Sequence, residues 1–305
     1  AGGVTFDEAS LDLIMAVVVT YNPDDGLARR LGRLRAQVGV VVVDNGSAEQ
    51  EQVRAIAEAE GCRFVGNATN LGIAAALNQA IAIARAAGAA WLATFDQDSL
   101  APEGGLEALL QTYRLHPTPE RIAMMAMIRE DRRTGRDYTR AWYVVEETAE
   151  WRSVKMTITS GSLIRLSVID RVGAFEESLF IDSVDHMFCL ACRRAGMLII
   201  ESKAATLSHA MGHITSKIIS GRQYTVLNQN PIRNYYMTRN ALRFIVECLR
   251  YDPLYAARTL LVQLNYTFIV LFFERQRRLK VKFMIEGLRD FLLGKYGPYS
   301  GHGAP

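Results

Sequence analysis

Four short apolar runs, at residues 14–19, 38–43, 63–66 and 91–95, alternate with stretches of helical character at 26–36, 49–60 and 73–87. Runs such as Trp91-Leu92-Ala93-Thr94-Phe95 lack a polar alternation, which is the pattern of strands covered on both faces. Strands separated by helices predict a parallel sheet with helices on both sides. In such a sheet, ligands collect beyond the carboxyl ends of the strands. Residues 121–208 mix short strands and helices, with a strand-like run at 198–200 and a helical stretch at 184–195. From 231 to 293 the apolar spacing is helical almost throughout, interrupted at Asp252-Pro253. The chain therefore reads as one α/β domain over 1–230, a helical region over 231–296, and a Gly/Pro-rich tail, 297–305, expected to be disordered.

The first strand ends at Thr20-Tyr21-Asn22-Pro23, the second at Asp44-Asn45-Gly46-Ser47 and the fourth at Asp96-Gln97-Asp98-Ser99. Three polar clusters are thus expected at one crevice. A nucleoside diphosphate suits them. Tyr21 offers a flat apolar face for a base, and Asp44 an acceptor for an imide N–H. Asp96 is placed to accept from ribose hydroxyls, and Asp98 to hold the hard cation, Mg²⁺ or Mn²⁺, that a diphosphate needs. Taken singly, each residue also suits a turn or a cap. A G-x-G-x-x-G turn after the first strand and a P-loop are both absent, which disfavours nicotinamide and ATP chemistry.

The segments Val18-Val19-Thr20-Tyr21-Asn22-Pro23, Asp44-Asn45-Gly46-Ser47, Asn70-Leu71-Gly72-Ile73-Ala74 and Phe95-Asp96-Gln97-Asp98-Ser99 resemble the nucleotide-sugar half of family-2 glycosyltransferases. Asp96-Gln97-Asp98-Ser99 with Phe180-Ile181-Asp182-Ser183-Val184-Asp185, and Arg233-Asn234-Tyr235-Tyr236-Met237-Thr238-Arg239-Asn240, are similar, more narrowly, to the bacterial rhamnosyltransferases of that family. The resemblance covers residues 14–240. It implies a GT-A fold, a Rossmann-like mixed sheet flanked by helices, with a nucleotide-sugar half at 13–120 and an acceptor half at 121–230. It also implies inverting transfer from dTDP-L-rhamnose. In the family, the residue matching Tyr21 stacks on the base, that matching Asp44 accepts its N–H, and those matching Asp96 and Asp98 hold ribose and metal. Thr20, Asn22 and Asn70, in the same segments, are assigned with them to the nucleotide.

Asp185 matches the general base that single-displacement inversion requires near the acceptor hydroxyl. With Asp182 it also suits a cap for the helix at 184–195. His186-Met187 stand where the family often has a small polar residue and a glutamate. Gly161 and Ser162, in Thr159-Ser160-Gly161-Ser162, resemble the segment lining the acceptor side; an ordinary strand-to-helix turn is the other reading. His209 reads as a third metal or phosphate ligand or as a structural histidine. Asp182, Arg233, Tyr236 and Arg239 are assigned to acceptor or diphosphate, with packing the alternative for Tyr235 and Tyr236.

Composition changes the picture at the C-terminal end. The net charge of +3 over 305 residues gives no reason to expect nucleic acid. Residues 274–295, however, carry seven Lys/Arg against three acids. Just before them Leu260, Leu261, Leu264, Phe268, Leu271 and Phe272 recur at helical spacing. An apolar face beside cations suits a membrane surface, and equally a core-covering helix or a homodimer contact. The stretch 259–273 is too short and too interrupted by Gln263 and Asn265 to read as a span. Cys62, Cys189, Cys192 and Cys248 have no framework spacing and fit a reducing cytosol, and Cys189-x-x-Cys192 reads as packing rather than metal. The N-terminus shows no signal segment.

The expected function is metal-dependent, inverting rhamnosyl transfer to a saccharide or glycolipid, peripheral on the cytoplasmic face of a bacterial plasma membrane. The rivals are a transferase of the same fold using a UDP- or GDP-sugar, and a non-catalytic nucleotide-sugar-binding assembly subunit. Uracil and thymine share the imide edge, so Tyr21 and Asp44 do not separate the donors.

Overall fold

A computed structural model of the chain describes residues 9–131, 137–209, 215–219, 222–226 and 228–301. The chain divides into two compact units, one of residues 1–176 and 185–209, the other of 177–184 and 210–305.

In the first unit the predicted alternation forms β1 (Ile14–Thr20), α1 (Leu27–Arg35), β2 (Gly39–Asp44), α2 (Gln50–Ala59), β3 (Arg63–Gly66), α3 (Ile73–Ala86) and β4 (Trp91–Asp96). There follow α4 (Gly105–Leu115), β5 (Ile122–Asp131), β6 (Val144–Glu147), β7 (Trp151–Val154), β8 (Ser162–Arg165), α5 (Ile169–Val172), α6 (Val184–Arg194) and β9 (Leu198–His209). The nine strands make one sheet in the order β3-β2-β1-β4-β8-β5-β9-β7-β6. The fan β3-β2-β1-β4 is parallel. β8 runs antiparallel to both β4 and β5, and β6 and β7 form an antiparallel pair on β9. The sheet is therefore mixed. The link from β6 to β7 is far too short for a crossover, so the chain can only return antiparallel.

Helix α1 buries Leu27, Leu31 and Leu34, spaced i, i+4, i+7, in the core that also holds Trp91, Leu106, Leu109 and Leu110. Truncating such a buried leucine to alanine costs about 2–5 kcal/mol. Gly161 lies between β4 and β5 with φ +75°, its N–H donating to Thr94 O at 2.8 Å and its C=O accepting from Met127 N at 2.9 Å. A Cβ there would meet only the end of the Leu207 side chain, Cδ2 at 2.8 Å; it is the left-handed φ that calls for glycine. Glu201 on β9 is wholly buried, and its carboxylate accepts from Arg152 Nε at 2.7 Å and from the Thr157 hydroxyl at 3.0 Å. Burial without such partners would be strongly unfavourable.

The second unit holds the hairpin β10 (Thr215–Ile219) and β11 (Arg222–Val226), then α7 (Pro231–Leu249), α8 (Pro253–Phe273) and α9 (Arg277–Leu292). Both α7 and α8 open with a capping side chain followed by proline: Asn230 Oδ1 accepts from Ile232 N at 3.2 Å, and Asp252 Oδ1 from Tyr255 N at 3.0 Å. Asp252-Pro253 is thus the break between α7 and α8. In the segment expected to be a disordered tail, Gly297 N donates to Ser178 O at 2.6 Å and Tyr299 N to the Tyr236 hydroxyl at 2.7 Å.

Candidate active site

The three strands that carry polar ends stop level with one another. Register pairs Thr20 with Asp44 across β1 and β2, and Val19 with Asp96 across β1 and β4. Strand order reverses between β1 and β4, the place where open α/β sheets leave a crevice.

Asp44 is fully buried at the end of β2. Its Oδ1 accepts from the Thr20 hydroxyl at 2.9 Å and the Ser47 hydroxyl at 2.5 Å. Its Oδ2 accepts from Ser47 N and from Gln50 Nε2, both at 2.9 Å. Burial works to raise the carboxyl pKa, but the donors Ser47, Gln50 and Thr20 outweigh it and hold the group below its ordinary value. Asp44 is therefore an anion whose lone pairs are all engaged. Gln50 Nε2 has a second acceptor, Asn67 O at 2.9 Å.

Tyr21 follows β1 with its ring exposed. Gln97, the middle residue of Asp96-Gln97-Asp98, grips its peptide from both sides: Tyr21 N donates to Gln97 Oε1 at 2.7 Å, and Gln97 Nε2 to Tyr21 O at 3.3 Å. Asn22 takes a left-handed φ of 47° and ties the turns after β1 and β2, its N–H donating to Ser47 Oγ at 2.8 Å and its Oδ1 accepting from Ala48 N at 2.9 Å. Asn70 Oδ1 accepts from Asn45 Nδ2 at 3.0 Å and Gly72 N at 2.9 Å, fixing the loop before α3. Gly46, at φ +81°, lets that loop pass; a Cβ would lie 2.7 Å from the Thr69 carbonyl carbon. Beside these turns a cavity of ≈ 170 Å³ opens, lined by Asn22, Ser47 and Val53 and rimmed by Asp24, Asp25 and Glu49. Its acidic rim suits the base end of a nucleotide and not its phosphates.

At the end of β4, Asp96 N donates to Ser160 Oγ at 3.0 Å, and the Ser160 and Ser99 hydroxyls share a bond of 2.9 Å. Asp96 is half-buried and Asp98 exposed. Among the described residues no group of three or more His, Cys, Asp or Glu could hold a metal. Two carboxylates at one strand end still fit Mg²⁺ or Mn²⁺, which keep several waters and take the rest of their oxygens from substrate phosphates. His209 closes β9, in register with Asp131 of β5, and its side chain lies outside the described residues. Asp185 stands half-buried in the first turn of α6, where the helix dipole favours an anion. Burial first, then the cations Arg129 and Arg140, push the neighbouring His186 imidazole down to about 4, so it is neutral at pH 7. Burial pushes the Cys189 thiol up to about 12, which fits packing rather than metal or redox chemistry.

The profile of Glycosyl transferase family 2 matches residues 15–173. The chain belongs to that family. It is 30% identical over 240 residues to the dTDP-rhamnosyl transferase RfbF of Shigella flexneri, covering 75% of this chain and 78% of that one. Among solved structures it is similar to S. aureus TarS 1-349 in complex with UDP-GlcNAc, with a TM-score of 0.57 and 17% identity over 92% of this chain and 80% of that chain. It is also similar to GalNAc-T7 with UDP, GalNAc and Mn2+, with a TM-score of 0.55 and 11% identity over 76% of this chain and 47% of that one. The protein is a glycosyltransferase of nucleotide-sugar type, and its mixed sheet is the GT-A fold.

Several residues the sequence assigns to the acceptor side of this transferase have other partners. Ser162 is fully buried in β8 and its hydroxyl donates to Ile158 O at 2.8 Å, while Gly161 is spent on the sheet. Neither lines a surface. Ser160, between Thr159 and Gly161, is the residue of that segment that reaches the Asp96 turn. In the second unit Arg239 is fully buried. Its donors go to Asn240 Oδ1, the Tyr235 hydroxyl, Gly297 O, Ser178 O and Leu179 O, leaving none for a phosphate. Tyr236 is buried and stacks on Phe180 at 5.1 Å. Arg233 grips Asp182 in a fork, with Nη2 2.9 Å from Oδ1 and Nε 3.1 Å from Oδ2. Gln97, Gln50 and Ser160 are the site residues that sequence reasoning missed. Their one signal is their place inside or just beyond the quoted segments.

Proposed function

We propose that the protein transfers L-rhamnose, with inversion, from dTDP-L-rhamnose to a hydroxyl of a saccharide or glycolipid acceptor at the cytoplasmic face of a bacterial plasma membrane. The observation that carries this reading is the alignment of Tyr21, Asp44, Asp96 and Asp98 at the level ends of β1, β2 and β4. The dTDP-rhamnosyl transferase relative and the rhamnosyltransferase-like segments support the choice of donor.

In this reading Tyr21 stacks on thymine, held in place by Gln97. The thymine N–H reaches Asp44 Oδ2 by displacing Gln50, which keeps its bond to Asn67 O. Asp96 accepts from the ribose, and Ser160 fixes the Asp96 peptide. Asp98 with Asp96 would hold Mg²⁺ or Mn²⁺; when bound, the cation neutralises charge on the diphosphate. Asp185 takes the proton of the acceptor hydroxyl as its oxygen bonds to the anomeric carbon and the bond to dTDP breaks. Orientation of the two substrates supplies much of the rate.

Two variants test the roles. Asp185→Asn should abolish transfer and leave dTDP binding by calorimetry unchanged. Asp98→Ala should abolish transfer and weaken metal-supported dTDP binding by tenfold or more, on the order of 1.4 kcal/mol. Wild-type turnover in Asp185→Asn would remove that residue from the base role.

A further inference from the structure

The second unit presents an exposed apolar face on α8. Leu261, Leu264, Phe268 and Phe272 lie along one side of α8 and are 65%, 55%, 43% and 59% exposed. The opposite side is packed: Tyr255, Ala256, Ile269 and Val270 are buried, and Tyr255 meets Phe244 of α7 edge-on at 5.6 Å. On α9, Ile285, Leu288 and Leu292 form a second exposed stripe.

The structure sorts the charges around these faces. Arg275, Arg277, Arg278, Lys282, Arg289 and Lys295 are exposed. Arg250 and Arg258 add two more near the start of α8. The acids turn inward. Glu274 pairs with buried Lys280, and Asp290 accepts from the Tyr235 hydroxyl at 2.9 Å and pairs with Arg289 at 3.0 Å. Half-buried Glu286 accepts from the Tyr299 hydroxyl at 2.5 Å and faces Lys282 at 3.9 Å. These contacts leave Arg275, Arg277, Arg278 and Lys295 as the exposed cations of this stretch with no acid paired to them among the described residues. Glu247 pairs with Arg243, and Asp252 caps α8. Within the described residues 228–301 no acid is exposed.

We propose that this unit docks, through α8 and α9 lying in the interface plane, on a bilayer surface containing anionic phospholipid. Apolar side chains flanked by an excess of exposed cations match acyl chains beneath phosphate headgroups. A second copy is the poorer occupant. A two-fold contact sets the patch against itself, so cations would meet cations; Glu177, in the unit's separate segment 177–184, is an exposed acid outside 228–301. The expectation of a stretch too short to span is corrected by α8, whose 21 residues are long and apolar enough to cross a membrane. A span is still the poorer occupant, because α8 keeps one side against its own unit and carries Gln263 and Asn265. The inference gives a surface to the membrane partner of the proposed function, and its test contains no donor, so either can fail alone.

The test is co-sedimentation of the whole protein with phosphatidylcholine vesicles, with and without about one-third phosphatidylglycerol. Expected are binding to the anionic vesicles that high salt weakens, and release from isolated membranes by alkaline carbonate. Replacing Arg275, Arg277 and Arg278 by Gln should weaken binding about a hundredfold. Leu261→Ser with Phe272→Ser should abolish it without lowering the melting temperature, since both side chains are exposed. Equal binding to both vesicles, no binding, resistance to carbonate, or a dimer that Leu261→Ser with Phe272→Ser dissociates would each overturn the proposal.

Discussion

Gln97 fixes the Tyr21 peptide by two neutral hydrogen bonds, each worth about 1 kcal/mol. If Tyr21 carries the base, Gln97→Ala should weaken dTDP binding about tenfold, and should do nothing further in a Tyr21→Ala background. Calorimetry on the four proteins of that cycle checks it; equal losses in both backgrounds would separate Gln97 from Tyr21. No reading of Asp96-Gln97-Asp98 alone could have found this contact, which joins residues 76 apart in the chain. What was legible were polar types at strand ends, because a carboxylate after an apolar run has few places to go. His186 gives a second prediction. Its imidazole takes a proton near 6.5 when unfolded and only near 4 when folded. The unfolded chain therefore binds more protons between these values, and stability falls as pH drops through that window, by at most about 1.4 kcal/mol per pH unit. Urea titrations of the wild type and His186→Gln at pH 7.5 and 5 should show the variant losing less. A wild type as stable at pH 5 as at 7.5 would refute the neutral imidazole.

The segment 177–184 has no glycine, yet Phe180, Asp182 and Ser183 have φ values of 67°, 63° and 62°. Three such residues store strain that neighbours must hold. Helix α7 holds it: Asn240 Nδ2 reaches Leu179 O, Ile181 O and Asp182 O at 2.9, 2.7 and 3.1 Å, beside the Arg239 bonds to Ser178 O and Leu179 O. Asn240→Ala, which strips these buried carbonyls of a donor, should cost about 3 kcal/mol, read as a lower midpoint in chemical denaturation. A loss below about 0.5 kcal/mol would mean another group carries the loop. The sequence signals Asn240 only as part of a family-like segment, since left-handed backbone without glycine leaves no trace in composition. Strands β1 to β4, by contrast, were legible to within a residue at each end, because long apolar runs separated by amphipathic helices have one economical arrangement. β6, β7 and β8 have four residues each, too few to show a period, and their antiparallel pairing emerges only from the topology.

At the scale of the whole chain, a net charge of +3 conceals an uneven distribution: the unit that includes 210–305 shows only cations among the exposed charges of its described residues 228–301, while the sheet unit carries the carboxylates of the candidate site. Family and fold were legible because ordered segments recur at strand ends, and because the apolar runs that frame them are long. The donor is a finer matter, since thymine and uracil present the same imide edge to Asp44. Nucleotide release decides it most directly, measured with Mg²⁺ or Mn²⁺ and an acceptor extract against dTDP-L-rhamnose, dTDP-glucose, UDP-glucose, UDP-galactose and GDP-mannose. Rhamnosyl transfer predicts metal-dependent release of dTDP from dTDP-L-rhamnose alone, lost in Asp185→Asn. Release of UDP or GDP in preference, or the same release from Asp185→Asn, would contradict it.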